Sequence, residues 1–226
     1  MEFRVYKQSF ERGLIRHGQR KADAKAATSL AWLMMVYDRA VFQAPALPVS
    51  YDINSEAARL VTAAYMPRGD DGQEAYFVHV PGIHAWLAQA RRRQAGVFVV
   101  TPQEYELVQR GELVPATWLQ MLASIAAHEV RHRVQFKRPD LKKFTPGGCP
   151  PGGKSTVECA WRISSANWVR RCVAVVASDM HPTAKAGQMG DDEFDAFVIG
   201  IAALNAIRSG ASLEDIIALI SQDAPA

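Results

Sequence analysis

The stretch from residue 114 to residue 137, VPATWLQMLASIAAHEVRHRVQFK, predicts a long helix. Its first half is apolar, uncharged and rich in residues that favour helices. Pro115 is compatible with a first helical turn, and the next residue that would break a helix is Pro139. The pattern H-E-x-x-H occupies residues 128–132, in the second half of the stretch. We therefore expect this helix to carry the functional residues and the other elements to pack around it.

The H-E-x-x-H pattern places two imidazoles and a carboxylate at defined positions on that helix. Residues four apart share a helical face, so His128 and His132 would direct their rings to one point. Zn²⁺ needs this geometry from its first two ligands. Glu129 lies one residue further round the helix, where it could reach a metal-bound water as a general base. The pattern therefore predicts a zinc-dependent hydrolase.

A purely structural interpretation of the same helix is also open. Arg131 and Arg133 introduce charge between and directly after the two histidines. An amphipathic helix could carry His128 and His132 on a basic, solvated face without binding any metal.

Length and composition limit the classes of protein that fit. A chain of 226 residues suits one large domain or two small ones, and 49% apolar with 22% charged residues is typical of a globular protein. A net charge of +3 is too small to indicate a nucleic-acid partner by itself. Three cysteines without C-x-x-C spacing indicate no disulfide framework. With a charged N-terminus and no long apolar run, we expect a cytoplasmic protein without a membrane span.

Periodicity and turn signals along the rest of the chain predict a mostly helical α+β domain with a small sheet. The predicted helices are 20–43, 55–66, a short one after Pro81, one that begins at Thr101, 156–178, 193–208 and a last one capped by Ser212. The predicted strands are a short one within residues 1–15, 74–80 and 96–100, and residues 138–154 form a loop rich in glycine and proline. We expect one domain, in which a helical region 1–95 packs on a catalytic region 96–226.

The HEVRH helix resembles that of the zincin metallopeptidases. Metzincins have a third histidine where this chain has Arg138, so the resemblance is to the gluzincin type. Among small cytosolic examples the chain looks most like the ImmA/IrrE group, whose members cleave or control repressor proteins. The resemblance covers about residues 96–178. It implies Zn²⁺ as the cofactor, His128 and His132 as ligands, Glu129 as the base, and a protein or peptide as the substrate.

The third ligand is less clearly indicated by the sequence. In the gluzincin pattern a glutamate on a following helix supplies it, and the resemblance assigns this role to Glu158. Glu158 heads a largely apolar stripe of the predicted helix 156–178, where a buried carboxylate would require a cation. Ser155 and Glu158 also match a capping box, in which the carboxylate only caps its own helix. His181 and the acidic cluster at 191–193 are the alternative ligands.

Hydrolysis of an amide also needs a donor for the oxyanion that develops on the scissile carbonyl. Arg131, His181 and Tyr105 are the candidates for that role. Nothing in the sequence pattern distinguishes among the three.

A basic band follows the H-E-x-x-H pattern. Residues 131–143 contain one aspartate, Asp140, and six cationic residues: Arg131, Arg133, Lys137, Arg138, Lys142 and Lys143. A solvated helix face is the ordinary explanation of such a run. The functional alternatives are an acidic peptide substrate, or a non-catalytic zincin-like protein that binds a partner or nucleic acid through this band.

Residues 148–155, GCPPGGKS, match the phosphate-binding pattern G-x-x-x-x-G-K-S. That loop functions after a buried apolar strand, which residues 140–146 do not resemble. Two prolines inside the loop also remove backbone donors that would hold phosphate. A nucleotide-binding protein is therefore the third hypothesis, and we expect Lys154 to bind no nucleotide.

Overall fold

Helices and a small mixed sheet make up the computed structural model, which describes residues 3–53, 62–68, 72–85, 116–143 and 191–223. The helices are α1 (Phe3–Arg16), α2 (Lys21–Phe42), α3 (Trp118–Lys137), α4 (Asp191–Arg208) and α5 (Leu213–Ser221), and residues 80–85 are also helical. The strands are β1 (Val49–Asp52), β2 (Ala63–Met66) and β3 (Ala75–His79). The predicted α+β class is confirmed. Over these same ranges, no helix combines the length and the hydropathy that crossing a bilayer requires.

Several elements agree with the sequence prediction. Helices 20–43 and 193–208 are confirmed as α2 and α4, strand 74–80 as β3, and the helix after Pro81 by residues 80–85. Ser212 caps α5, because its hydroxyl accepts the N–H of Asp215 while the Asp215 carboxylate accepts the N–H of Ser212. The predicted strand 96–100, the helix from Thr101 and the helix 156–178 lie outside the described residues.

The predicted strand within residues 1–15 is wrong, because residues 3–16 form α1. A short β-favouring run predicts that strand. In the structure, however, Phe10 and Leu14 are spaced four residues apart, as on one face of a helix, and both contact other elements. Leu14 is buried in the core, and Phe10, one turn earlier, places its ring centroid 5.7 Å from that of Tyr51. Packing against α2 and the sheet therefore overrides the local β propensity.

The sheet has the order β1-β3-β2, with β1 parallel and β2 antiparallel to β3. The predicted helix 55–66 is wrong at residues 63–66, which form β2 and pair with β3, while residues 54–61 lie outside the described ranges. His79 donates its N–H to the carbonyl of Thr62 at 3.0 Å. Because antiparallel pairs alternate, Ala63 and Tyr65 direct their backbone groups away from β3.

Helix α3 is the central element of the fold and packs between α2 and α4. It begins with a capping box, in which Thr117 accepts the N–H of Gln120 and the Gln120 side chain accepts the N–H of Thr117. Leu122, Ala126 and Val130 are fully buried in the core. The helix ends at Lys137, before Pro139, as its sequence predicts. The helix that carries the H-E-x-x-H pattern is therefore held by packing against both α2 and α4.

Two arginines of α3 are buried rather than solvated. Arg131 is fully buried and forms an ion pair with Asp195 at 2.6 Å. Arg133 donates to both oxygens of the fully buried Asp38, at 2.6 and 2.7 Å. The interpretation of α3 as a helix with a basic solvated face is wrong at both positions. Each guanidinium has a carboxylate partner supplied by a distant part of the chain, which local sequence does not reveal.

Candidate metal centre

Two histidines of α3 and one glutamate of α4 converge on a single point. The Nε2 atoms of His128 and His132 are 3.1 Å apart, and the two rings stand edge to face. Glu193 extends Oε1 to within 3.3 Å of His128 Nε2 and Oε2 to within 3.1 Å of His132 Nε2. The three donor groups lie within 4.8 Å of one another. The prediction that both histidines share a face and a common point is confirmed.

This donor set fits a zinc ion. Bonds of about 2.0–2.2 Å in a tetrahedron place neighbouring donor atoms about 3.3–3.6 Å apart. The distances from Glu193 to the two imidazole nitrogens, 3.3 and 3.1 Å, lie near the short end of that range. Two imidazoles and one carboxylate leave a fourth position open, which is typical of catalytic rather than structural zinc sites. Within the described ranges, no other group of three or more histidine, cysteine or acidic side chains is arranged to hold a metal.

The charges and hydrogen bonds of the three side chains favour a positive charge at the point where they meet. Burial lowers the pKa of His132, but its hydrogen bond to Glu193 and the charges of Glu129 and Glu193 raise that pKa to about 9. For Glu193, burial raises the pKa, whereas hydrogen bonds to His128 and His132 hold it well below its usual range. The carboxylate therefore remains ionised at the point where the two imidazole nitrogens meet.

Glu129 lies beside this group without joining it. Its Oε1 is 4.0 Å from Nε2 of His128, and its Oε2 accepts the backbone N–H of Tyr65 at 2.9 Å. The side chain is only 8% exposed. The hydrogen bond from β2 holds the carboxylate in this position. Glu129 thus lies close to the three candidate ligands but outside their group, and its role as a general base stays a prediction.

An open cavity of about 640 Å³ adjoins the metal centre. Residues 62–65, which include most of β2, contribute to its lining, together with Glu129 and Phe136 of α3 and Asp192 of α4. The edge of β2 that faces away from β3 therefore borders the same space as the two histidines and Glu193. Phe136 is 49% exposed and supplies apolar surface there.

Small residues bring α3 and α4 close enough to group the three candidate ligands. The Ser124 hydroxyl donates to the carbonyl of Gly200 at 2.7 Å. A Cβ at Gly200 would lie 3.1 Å from the Ser124 carbonyl oxygen and 3.4 Å from Cβ of His128. The two helices can therefore approach so closely only because residue 200 has no side chain. This contact lies two helical turns from Glu193 on the same helix.

The structure places the other predicted site residues as follows. Arg131 directs its guanidinium to Asp195 and to the carbonyls of Ile220 and Gln222, so its donors are engaged away from the ligands. Glu158, His181, Tyr105 and the loop 148–155 with Lys154 lie outside the described residues, and the roles inferred for them stay predictions. Residues 140–143 form no strand.

Glu193 belongs to the acidic cluster that the sequence offered as an alternative source of the third ligand. Its neighbour Asp192 instead pairs with Lys143 at 2.6 Å. Sequence reasoning could place a carboxylate in the first turn of a predicted helix, but it could not choose among three adjacent acidic residues. The packing of α4 on α3 makes that choice.

The basic band is largely neutralised by carboxylates. Five of its cations form ion pairs: Arg131 with Asp195, Arg133 with Asp38 and Glu74, Lys137 with Glu74, Arg138 with Asp140 and Asp223, and Lys143 with Asp192. Most of the partners are distant in sequence, so a count of charges along residues 131–143 overstates the positive surface that the fold presents.

Comparison with protein-family models, with curated proteins and with solved structures gives no match. The assignment of the site therefore rests on the residues and the geometry described above.

Proposed function

We propose that the protein is a zinc-dependent hydrolase, and specifically a metallopeptidase. The observation that carries the proposal is the convergence of His128, His132 and Glu193, with Glu129 beside them and an open cavity next to all four. Three protein donors with a free fourth position match a catalytic zinc site. A buried carboxylate outside the ligand set supplies the base that hydrolysis requires.

Each residue has a separate task in this reaction. His128, His132 and Glu193 would hold the metal, which when bound supplies a Lewis acid that lowers the pKa of water and polarises a carbonyl group. Glu129 accepts a proton from the attacking water and returns it to the leaving nitrogen. The N–H of Tyr65 orients the Glu129 carboxylate through Oε2, which leaves Oε1 directed toward the ligand side.

A peptide substrate is supported by the strand at the edge of the cavity. Ala63 and Tyr65 direct backbone groups away from β3, and the Tyr65 N–H already bonds to Glu129. Within the described residues no strand pairs with this edge of β2, so its remaining backbone groups could pair with an extended peptide, as strands do in β-augmentation. Such pairing would bring a peptide backbone alongside the carboxylate that we propose as the base.

The test combines metal analysis with turnover. We expect purified protein to contain about one zinc ion per chain and to cleave a quenched-fluorescent peptide library. Glu129→Gln should keep the zinc and lose turnover by at least ~100-fold, the scale of a general base. His132→Ala should lose the zinc.

Three results would contradict the proposal in whole or in part. Protein that neither contains nor takes up zinc would remove the metal centre. Retained zinc with no cleavage of any peptide would instead favour a non-catalytic protein that binds a partner. Turnover that persists in Glu129→Gln would exclude Glu129 as the base.

A further inference from the structure

One amide side chain joins the two helices that supply the metal ligands. Gln135 follows His132 by three residues on α3 and is 5% exposed. Its Oε1 lies 2.9 Å from Nδ1 of His132. Its Nε2 donates to the backbone carbonyl of Asp192 at 2.8 Å and to Oδ2 of Asp195 at 2.7 Å. Gln135 thus contacts a ligand of one helix and the first turn of the other.

The orientation of this amide follows from the chemistry of its neighbours. The Asp192 carbonyl can only accept hydrogen bonds, and the Asp195 carboxylate already accepts from Arg131 through both oxygens, so the NH₂ group of Gln135 must face them. Its Oε1 is then left for His132. An amide oxygen can only accept, which requires His132 to carry a proton on Nδ1.

The proton on Nδ1 determines which nitrogen of His132 can bind a metal. In the neutral ring the lone pair must then reside on Nε2, the atom that lies 3.1 Å from both His128 Nε2 and Glu193 Oε2. Histidine ligands of metals are commonly oriented by such a partner on their other nitrogen. Here the partner is an amide one turn along the same helix.

The buried ion pair between Arg131 and Asp195 fixes the position of the Gln135 amide. Asp195 accepts from Gln135 and, through both oxygens, from Arg131. Arg131 also donates to the carbonyls of Ile220 and Gln222 at the end of α5. Arg131, which the sequence analysis considers as an oxyanion donor, therefore holds Asp195, the carboxylate that accepts from Gln135.

We propose that Gln135 is a positioning residue of the metal centre. It selects the ligating tautomer of His132 and fixes the first turn of α4, from which Glu193 reaches the metal. The inference rests on the zinc site proposed above and adds a residue to it that binds no metal.

The test compares one substitution at two positions of α3. Gln135→Met keeps the length and the helix propensity of the side chain but removes both hydrogen-bonding groups. Gln120→Met makes the same change in the capping box at the start of the helix. Zinc affinity is measured by competition with a chromophoric chelator. We expect Gln135→Met to bind zinc about 10- to 100-fold more weakly, and Gln120→Met to bind it as the wild type does.

A second measurement needs no variant. Ring ¹⁵N–¹H correlations of zinc-loaded wild-type protein should show a proton on Nδ1 of His132 and metal coordination at Nε2. Zinc on Nδ1, or wild-type affinity in Gln135→Met, would overturn the inference while leaving the proposed function intact. A wild-type protein that binds no zinc would overturn both.

Discussion

Glu129 and Glu193 carry the same functional group but have different neighbours. Glu193 faces two imidazole nitrogens, and its pKa is lowered through hydrogen bonds to both of them. Glu129 instead accepts a backbone N–H from β2 and stays 4.0 Å from the nearer imidazole nitrogen. The first carboxylate is suited to holding a cation and the second to moving a proton, because position rather than residue type separates the two tasks.

Replacement of Glu193 tests the ligand set at the scale of single residues. We expect Glu193→Ala to weaken zinc binding by more than the roughly 100-fold that loss of a ligand's hydrogen-bond partner costs, because a charged ligand is removed. The control is Asp192→Ala, which removes the adjacent carboxylate but keeps the backbone carbonyl that Gln135 contacts. Chelator competition measures both affinities.

The same assay decides the role predicted for Glu158. With Glu193 as the third ligand, Glu158→Ala should retain zinc and lose only the ~1 kcal/mol of stability that a helix cap contributes. If zinc is lost in Glu158→Ala and kept in Glu193→Ala, the ligand set proposed here is wrong.

At the scale of the elements, the approach of α4 to α3 brings the candidate ligands together. Neither helix carries all three of them. The contact of Ser124 with Gly200 brings the helices together, and Gln135 spans them nearer to the site. Glu193 consequently reaches His128 and His132 from the first turn of α4.

Gly200→Ala tests this dependence. Replacement of a mid-helix glycine by alanine ordinarily increases the free energy of unfolding by about 0.5–1 kcal/mol. At Gly200, however, the new Cβ would meet the Ser124 backbone oxygen at 3.1 Å, which cannot move without shifting α3. We expect overpacking to prevail, so that stability falls by about 1–3 kcal/mol and zinc affinity falls with it.

Gly13→Ala is the matched control. Gly13 also lies inside a helix, and a Cβ there would meet nothing within 4 Å. This variant should become more stable in urea denaturation and bind zinc unchanged. If Gly200→Ala behaves in the same way, the close approach of the helices does not determine the geometry of the site.

At the scale of the whole molecule, buried charge pairs connect the active helix to the rest of the fold. Asp38 of α2 is fully buried and accepts hydrogen bonds from Arg133, from the Tyr76 hydroxyl and from the N–H of Leu47. One carboxylate thus joins α2, α3, β3 and the segment before β1. Its charge is tolerated in the core because Arg133 compensates it.

Arg133→Met should therefore be strongly destabilising. Removal of one partner leaves a buried charge without compensation, which typically costs about 3–5 kcal/mol. The control, Arg138→Met, removes an arginine just beyond the same helix whose partners Asp140 and Asp223 are exposed, and it should cost at most about 1 kcal/mol. Urea denaturation of the two variants measures the difference. Equal losses would show that the buried pair contributes no more than the exposed one.

The local pattern was sufficient for features whose causes lie within a few residues. The four-residue spacing of His128 and His132 placed their rings on one face, because the period of a helix is a property of the backbone. The helix end before Pro139 and the cap at Ser212 likewise follow from residues close in sequence, whereas α3 begins at Trp118, after the Thr117 cap, and not in a turn that contains Pro115. For the same reason Glu129 could be assigned a position beside the ligands.

Only the tertiary structure decided features that join distant residues. It selected Glu193 from a cluster of three acidic residues, because the contact of Gly200 with Ser124 determines which side chain of α4 faces the histidines. It placed residues 63–66, which the sequence predicts as helix, in strand β2, because pairing with β3 outweighs local propensity. It also buried Arg131 and Arg133 beside the carboxylates of Asp195 and Asp38. The sequence pattern predicts a solvated face at both positions, because each partner lies more than 60 residues away in the chain.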